Sequence, residues 1–316
     1  MGSKDLYISG LNYITMNSNT VDPSKFDPAA LFKVNGLVAV VTGAGSGIGR
    51  SIALALAYNG AARVYLLGRR FEKLQETAAL GSDRTAAGVM VPLRVDVMQK
   101  DELASAAAQI AADVGFVHLV VVNAGVTGPD LLGIGTLTPS PGQLQNYIFN
   151  EWSNENFTRP FATNVTGAFF TCAAFLDLLD KGNSETNRLP GVSSQVIVNS
   201  SSVAYVRQLA GSGAVAYATS KAAVNQMFKI LSTLFVPYRI RVNLLNLGVF
   251  PTEMTAPLLS DDKSGLSANN IPERRFGDDA DLAGAALYLA SRAGAYVNGL
   301  SLIVDGGLVA VLPGTY

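Results

Sequence analysis

The chain has 316 residues, with 23 basic and 24 acidic side chains for a net charge of −1, and it is 49% apolar against 15% charged. A charge sum near zero offers no basic surface to follow a phosphate backbone, so no nucleic-acid partner is expected, while the apolar excess calls for a large core and some surface hidden between subunits. One cysteine and one histidine exclude an internal disulfide framework and argue against a metal site, and with no run near the roughly 20 apolar residues of a membrane span and no leader-like stretch, the expectation is a reducing, cytoplasmic location without a membrane partner.

Residues 1–30 are polar, aperiodic and interrupted by Pro23 and Pro28, and read as an N-terminal extension; residues 31–316 read as one domain. Short β-branched runs predict strands at 37–41, 63–67, 89–95, 117–122, 195–199, 239–245 and 301–304. Helical periodicity predicts helices at 47–59, 71–80, 100–114, 156–180, 214–236 and 278–293. Strands that are apolar on both faces and alternate with helices imply an α/β, doubly wound parallel sheet covered on both sides. Two Gly- and Pro-rich stretches, 128–150 and 251–276, follow the carboxyl ends of strands, where ligands bind in such sheets. They are expected to wall a substrate site.

Just after the first strand comes Thr42-Gly43-Ala44-Gly45-Ser46-Gly47-Ile48-Gly49, opening a helix. Glycines allow the tight turn and let a pyrophosphate approach backbone N–H groups at the positive end of the helix. A Gly-rich turn alone can also bind nothing; here a strand precedes it and an amphipathic helix follows. A site for NAD would carry an acid about 20 residues later, at the end of the second strand, to hold the ribose 2′-hydroxyl. That position reads Leu67-Gly68-Arg69-Arg70. Two guanidinium groups suit a 2′-phosphate, so NADP(H) is the expected cofactor; solvation of a helix start is the plainer use of the same arginines.

Tyr217 and Lys221 lie four apart on a predicted helix and project from one face. A free phenol has a pKa near ~10, and a neighbouring ammonium lowers it toward the working range of an acid–base group. Such a pair serves more often as packing or a cation–π contact, unless a cofactor site adjoins it.

The glycine loop, Asn123-Ala124-Gly125 after the fourth strand, Asn164-Val165-Thr166-Gly167 in the long helix, Ser202 ahead of Tyr217-x-x-x-Lys221, and the closing Val304-Asp305-Gly306-Gly307 together form a specific set. From about Leu31 to the C-terminus the chain resembles the short-chain dehydrogenase/reductase family, and within it the NADP-dependent, 3-oxoacyl reductase-like fungal enzymes of lipid and secondary metabolism. The resemblance implies a Rossmann-type fold with seven parallel strands and NADPH-dependent reduction of a ketone or 3-oxoacyl-type carbonyl on a hydrophobic small molecule. It makes Tyr217 the proton donor, Ser202 the hydrogen-bond partner of the carbonyl oxygen, and Lys221 the residue that tunes Tyr217. Asn164 then supports a water-linked relay to Lys221.

For the cofactor the resemblance implicates Gly43, Gly45, Ser46, Gly47, Ile48 and Gly49, then Arg69, Arg70, Asp96, Val97, Asn123, Ala124, Gly125, Tyr217 and Lys221. Asp96 would accept a hydrogen bond from the adenine amino group, cap the helix near Lys100, or do both. Where relatives read Pro-Gly after the sixth strand, this chain reads Leu247-Gly248, and Thr252 and the backbone at Phe250 are expected to reach the nicotinamide carboxamide. His118 is expected to be a satisfied buried histidine and Cys172 a core thiol; Trp152 and Tyr147 would either line a pocket or seal the first insertion. The long helices 156–180 and 214–236 match the family's pairing surfaces, which implies a homodimer or homotetramer. A cofactor-binding scaffold without redox work and coupled or non-redox chemistry, such as cyclisation or epimerisation, stand as the alternatives.

Overall fold

The computed structural model describes residues 22–134, 138–207, 214–259 and 267–315. Strands β1 (Val38–Thr42), β2 (Arg63–Gly68), β3 (Met90–Arg94), β4 (Leu119–Val122), β5 (Gln195–Ser201), β6 (Arg241–Leu247) and β7 (Ser301–Val304) form one seven-stranded sheet. The order is β3-β2-β1-β4-β5-β6-β7, and every pairing is parallel. The predicted fold class is the observed one.

Alternation along the strands divides the core in two. Val38 and Val40 of β1 face Leu103 and Ile110 of α4 (Lys100–Asp113), Phe175 and Leu179 of α7 (Ala168–Gly182), and Phe228 and Leu231 of α8 (Val215–Leu234). Ala39 and Val41 face the other layer: Ile52 and Leu56 of α2 (Gly47–Tyr58), Leu74 of α3 (Phe71–Ser82), and Leu282 and Leu289 of α10 (Asp279–Ala290). The chain winds from β1 outward in both directions, so the carboxyl ends of β1 and β4 flank the crevice where the order reverses.

Most element bounds shift from prediction by one or two residues. β6 starts at Arg241 rather than 239 because Arg239 takes a left-handed conformation (φ 55°) that closes the turn after Val236–Tyr238. A larger difference concerns the helix predicted over 156–180. It begins earlier, with Ser153 and Asn156 forming a capping box, and runs as α6 (Asn154–Pro160), a π-helical segment Phe161–Gly167, and then α7. Pro160 carries no N–H and crowds the carbonyl one turn back, and the wider turns follow directly after it. The whole run Asn154–Gly182 has the length and hydropathy of a membrane span. Its apolar residues Cys172, Phe175 and Leu179 are instead packed on the sheet.

The first insertion holds α5 (Pro141–Asn146), capped by Ser140 and Gln143, and a π-turn Tyr147–Glu151. Trp152 stands 6.4 Å from Phe157 between ring centroids, and Phe157 lies 6.2 Å from Phe161. These rings fasten the insertion to α6, so Trp152 seals the loop. At the other end of the chain, α1 (Pro28–Phe32) docks on the turn Arg292–Gly294. The second insertion includes α9 (Ala256–Leu259), and α11 (Leu308–Val311) follows β7.

His118 is buried, accepts from the Val38 N–H at Nδ1 (3.0 Å) and bonds the Asn187 carbonyl through Nε2 (2.8 Å). Those partners require the neutral ring with the proton on Nε2, and burial holds the pKa below the usual histidine value. Cys172 is buried among the core residues of α7, and burial raises its thiol pKa.

Candidate active site

A cavity of about 630 Å³ opens at the carboxyl ends of β1 and β4, within the roughly 300–1,000 Å³ range of ligand sites. Gly43, Gly45, Ser46, Gly47 and Ile48 form one wall, with Gly43 (φ 67°) and Gly47 (φ 51°) in left-handed conformations that L side chains avoid. α2 begins at Gly47, and the side chain of its N-cap, Ser46, makes no capping bond. Free N–H groups at the positive end of a helix therefore face the cavity. Gly49 lies behind the turn rather than on the wall. A Cβ there would stand 2.4 Å from both the Gly43 carbonyl oxygen and Asn123 Nδ2, so its glycine serves the close approach of helix to strand.

Asn123 holds the switch point together. Its Nδ2 donates to the carbonyls of Thr42 (2.9 Å) and Gly43 (3.3 Å), and its Oδ1 accepts from Asn199 Nδ2 at 2.9 Å. The N–H groups of Asn123 and Ala124 donate to Thr42 Oγ1. Asn123, Ala124 and Gly125 also line the cavity, joined by Asp96, Val97, Arg69 and Arg70. Asp96 Oδ1 accepts from the Met98 N–H (3.0 Å), so the carboxylate shapes the turn into α4 while it faces the cavity.

At the inner end, Tyr217 and Lys221 of α8 face the same space. Lys221 Nζ lies 5.7 Å from the centre of the Tyr217 ring and donates to the Asn199 carbonyl at 3.2 Å. Asn164 sits in the π-helical segment and grips the neighbouring backbone. Its Oδ1 accepts from the Val126 N–H (2.9 Å), and its Nδ2 donates to the Val126 carbonyl (3.1 Å) and to Ser220 Oγ (2.9 Å). Gly125 leaves space between Asn164 and Lys221: a Cβ there would lie 3.1 Å from Asn164 Oδ1 and 3.7 Å from Lys221 Nζ.

The two serines at the end of β5 differ in their partners. Ser201 lowers the Tyr217 pKa, and its Oγ donates to the Leu247 carbonyl at 3.4 Å and accepts from the Val203 N–H at 3.4 Å. β5 runs through Ser201, whereas Ser202 begins a 3₁₀ turn with its hydroxyl buried and without a hydrogen-bond partner among the described residues. Phe250 is buried away from the cavity, and its carbonyl accepts from Thr255 Oγ1 at 2.6 Å; Thr252 does line the wall.

Burial governs the electrostatics of the resting pair. It pushes the Tyr217 phenol up to about 12, with Ser201 pulling the other way, and brings the Lys221 ammonium down to about 8.

Sequence reasoning missed Thr127, Arg159, Thr163, Glu253 and Met254 as wall residues. The donor set fits a dinucleotide. Left-handed glycines keep the cradle free of side chains, helix N–H groups face it, and a guanidinium group stands at the β2 end.

The sequence profile described as enoyl-(acyl carrier protein) reductase matches residues 43–309. Short-chain dehydrogenase/reductase VdtF of Byssochlamys spectabilis is 37% identical over 94% of this chain and 100% of its own length. PhomF of Diaporthe leptostromiformis, named in the same way, is 40% identical over 95% of this chain and all of its own. Among solved structures, the Pseudomonas aeruginosa RhlG/NADP active-site complex superposes with a TM-score of 0.74 at 28% identity, covering 88% of this chain and 98% of that one. A gluconate 5-dehydrogenase from Burkholderia cenocepacia J2315, solved with NADP and tartrate, gives 0.72 at 27% identity over 90% and 99%. With the tyrosine–lysine pair set beside the glycine cradle and likeness extending over nearly the whole of both fungal relatives, this chain belongs to the short-chain dehydrogenase/reductase family.

Proposed function

We propose that the protein is a cytoplasmic NADPH-dependent reductase of a ketone or 3-oxoacyl-type carbonyl on a hydrophobic small molecule, with residues 31–316 acting as one catalytic domain. The observation that carries this reading is the junction of Tyr217 and Lys221 with the glycine-walled cavity. The NADP complexes among the solved relatives support the cofactor, and Arg69 and Arg70 at the β2 end support preference for the 2′-phosphate form. Val126 and Met254 supply apolar wall for the substrate.

When bound, the dinucleotide supplies the hydride, and the chain handles the proton. Tyr217 is held in its protonated form by burial, which is the form that can donate to an oxygen gaining negative charge. The serines that end β5 supply the second hydroxyl beside the phenol, Ser201 being the one that lowers the Tyr217 pKa. Once the phenol has given up its proton, the buried Lys221 ammonium is the counter-charge that stabilises the phenolate. Asn164 fixes the backbone at Val126 and the packing of α8 through Ser220, which holds Lys221 in register.

The test is NADPH oxidation against a panel of apolar ketones and 3-oxoacyl thioesters, with products identified and NADH run in parallel. Wild type should turn over at least one panel class and favour NADPH in kcat/KM. Tyr217→Phe should lower kcat by about 10²–10⁴-fold while NADPH affinity stays within about twofold. Retained turnover in that variant, or a preference for NADH, would overturn the proposal.

A further inference from the structure

The strand β2 lacks an acid, yet the structure delivers one to the same corner from the other side of the cleft. Glu253 follows β6 and lines the cavity opposite Arg70. Its carboxylate accepts from Arg70 at 2.8 Å, and the same guanidinium nitrogen donates to Ser46 Oγ at 3.0 Å. Arg70, Ser46 and Glu253 thus close a ring that joins the end of β2, the glycine turn and the segment after β6.

The segment that carries Glu253 is a firm turn. The Thr252 N–H donates to Thr255 Oγ1 at 2.9 Å, Thr255 Oγ1 donates to the Phe250 carbonyl at 2.6 Å, and the Ala256 N–H donates to the Thr252 carbonyl at 2.9 Å. Thr252 itself presses on the glycine turn: a Cβ on Gly47 would lie 3.0 Å from Thr252 Cγ2. Arg70 and Ser46 hold the Glu253 carboxyl below the usual carboxylate range, so it is an anion at neutral pH.

An anion seated on Arg70 and Ser46 stands where an incoming phosphate would sit. We propose that Glu253 is a specificity-determining residue, its carboxylate competing with the cofactor's 2′-phosphate for Arg70. The inference rests on the proposal above that this arginine receives that phosphate. A cofactor with a 2′-phosphate must displace the carboxylate and then endure its charge nearby; one with a 2′-hydroxyl leaves the ion pair in place. Glu253 therefore narrows the preference for NADPH over NADH that Arg70 creates. The pair is about half exposed, at 52% and 57% of its side-chain surface, which limits its strength to that of a surface ion pair plus local repulsion.

The experiment is calorimetric titration of the full chain with NADPH, NADH, adenosine 2′,5′-bisphosphate and 5′-AMP. Wild type, E253Q, R70Q and the double variant are compared. E253Q should bind NADPH and the bisphosphate about three- to fivefold more tightly, with NADH and 5′-AMP unchanged, and the gain should vanish when Arg70 is also replaced. An equal gain for 5′-AMP, a gain that survives in the double variant, or weaker NADPH binding would overturn the inference. Should wild type bind the bisphosphate no better than 5′-AMP, the assignment of Arg70 fails and the inference falls with it. Should wild type prefer the bisphosphate and E253Q leave that ratio unchanged, only the role of Glu253 is refuted.

Discussion

Half-buried Tyr217 and buried Lys221 line one cavity, and desolvation moves them in opposite directions, the phenol up to about 12 and the ammonium down to about 8. Carbonyl reduction needs both protons in place: the phenol's to give, and the ammonium's to stabilise the phenolate that remains. The lysine therefore sets the upper limb of the pH profile. kcat/KM for reduction should be level with respect to these groups below pH 8 and fall about tenfold per unit above it, since that parameter reports the free enzyme. Lys221→Met should lower the rate and abolish the limb; a limb that persists in the variant would assign it elsewhere. The serines separate by a single strand step. Ser201→Ala removes the hydroxyl that lowers the Tyr217 pKa and should cost about 10²–10³ in kcat, as loss of one donor to a developing oxyanion does. Ser202→Ala deletes a buried hydroxyl without a partner and should leave kcat within about twofold and stability equal or higher. The opposite ranking would restore Ser202 as the polarising residue.

Elements with one strong period were legible in the sequence. β1 reads Val-Ala-Val-Val-Thr and is buried throughout, because both faces are covered and no polar residue interrupts the run. The i, i+4 spacing of Tyr217 and Lys221 on α8 and the glycines after β1 place the chemistry through local geometry alone. What escaped depends on how elements end or change pitch. The π-helical segment at Phe161–Gly167 comes from Pro160 and from tertiary bonds of Asn164 to Val126 and Ser220, which no period reports. β5 runs two residues past the predicted 195–199, through Ser201, so strand period alone does not separate the two serines. Glu253 was invisible because the search for an acid followed the chain past β2, whereas folding brings one across the cleft from beyond β6.

At the scale of the molecule, α7 and α8 each cover the sheet with one face and expose apolar side chains on the other. Phe169 is 41% exposed, Ile230 58% and Leu234 57%, with Ala173, Ala222, Gln226 and Asp177 exposed beside them. We propose that these side chains meet their own copy across a two-fold interface, where small residues between larger apolar ones let a second pair of helices approach closely. Light scattering should therefore report a mass of at least twice the 33.1 kDa chain. Ile230→Glu sets a carboxylate on that face, far along α8 from Lys221, where a dimer would bury it without a partner. That variant should elute as a single chain with its helical circular dichroism and NADPH affinity retained. A wild-type mass of one chain would show that water, and not a second subunit, covers these side chains. The apolar excess of the composition would then be accounted for by the sheet core alone.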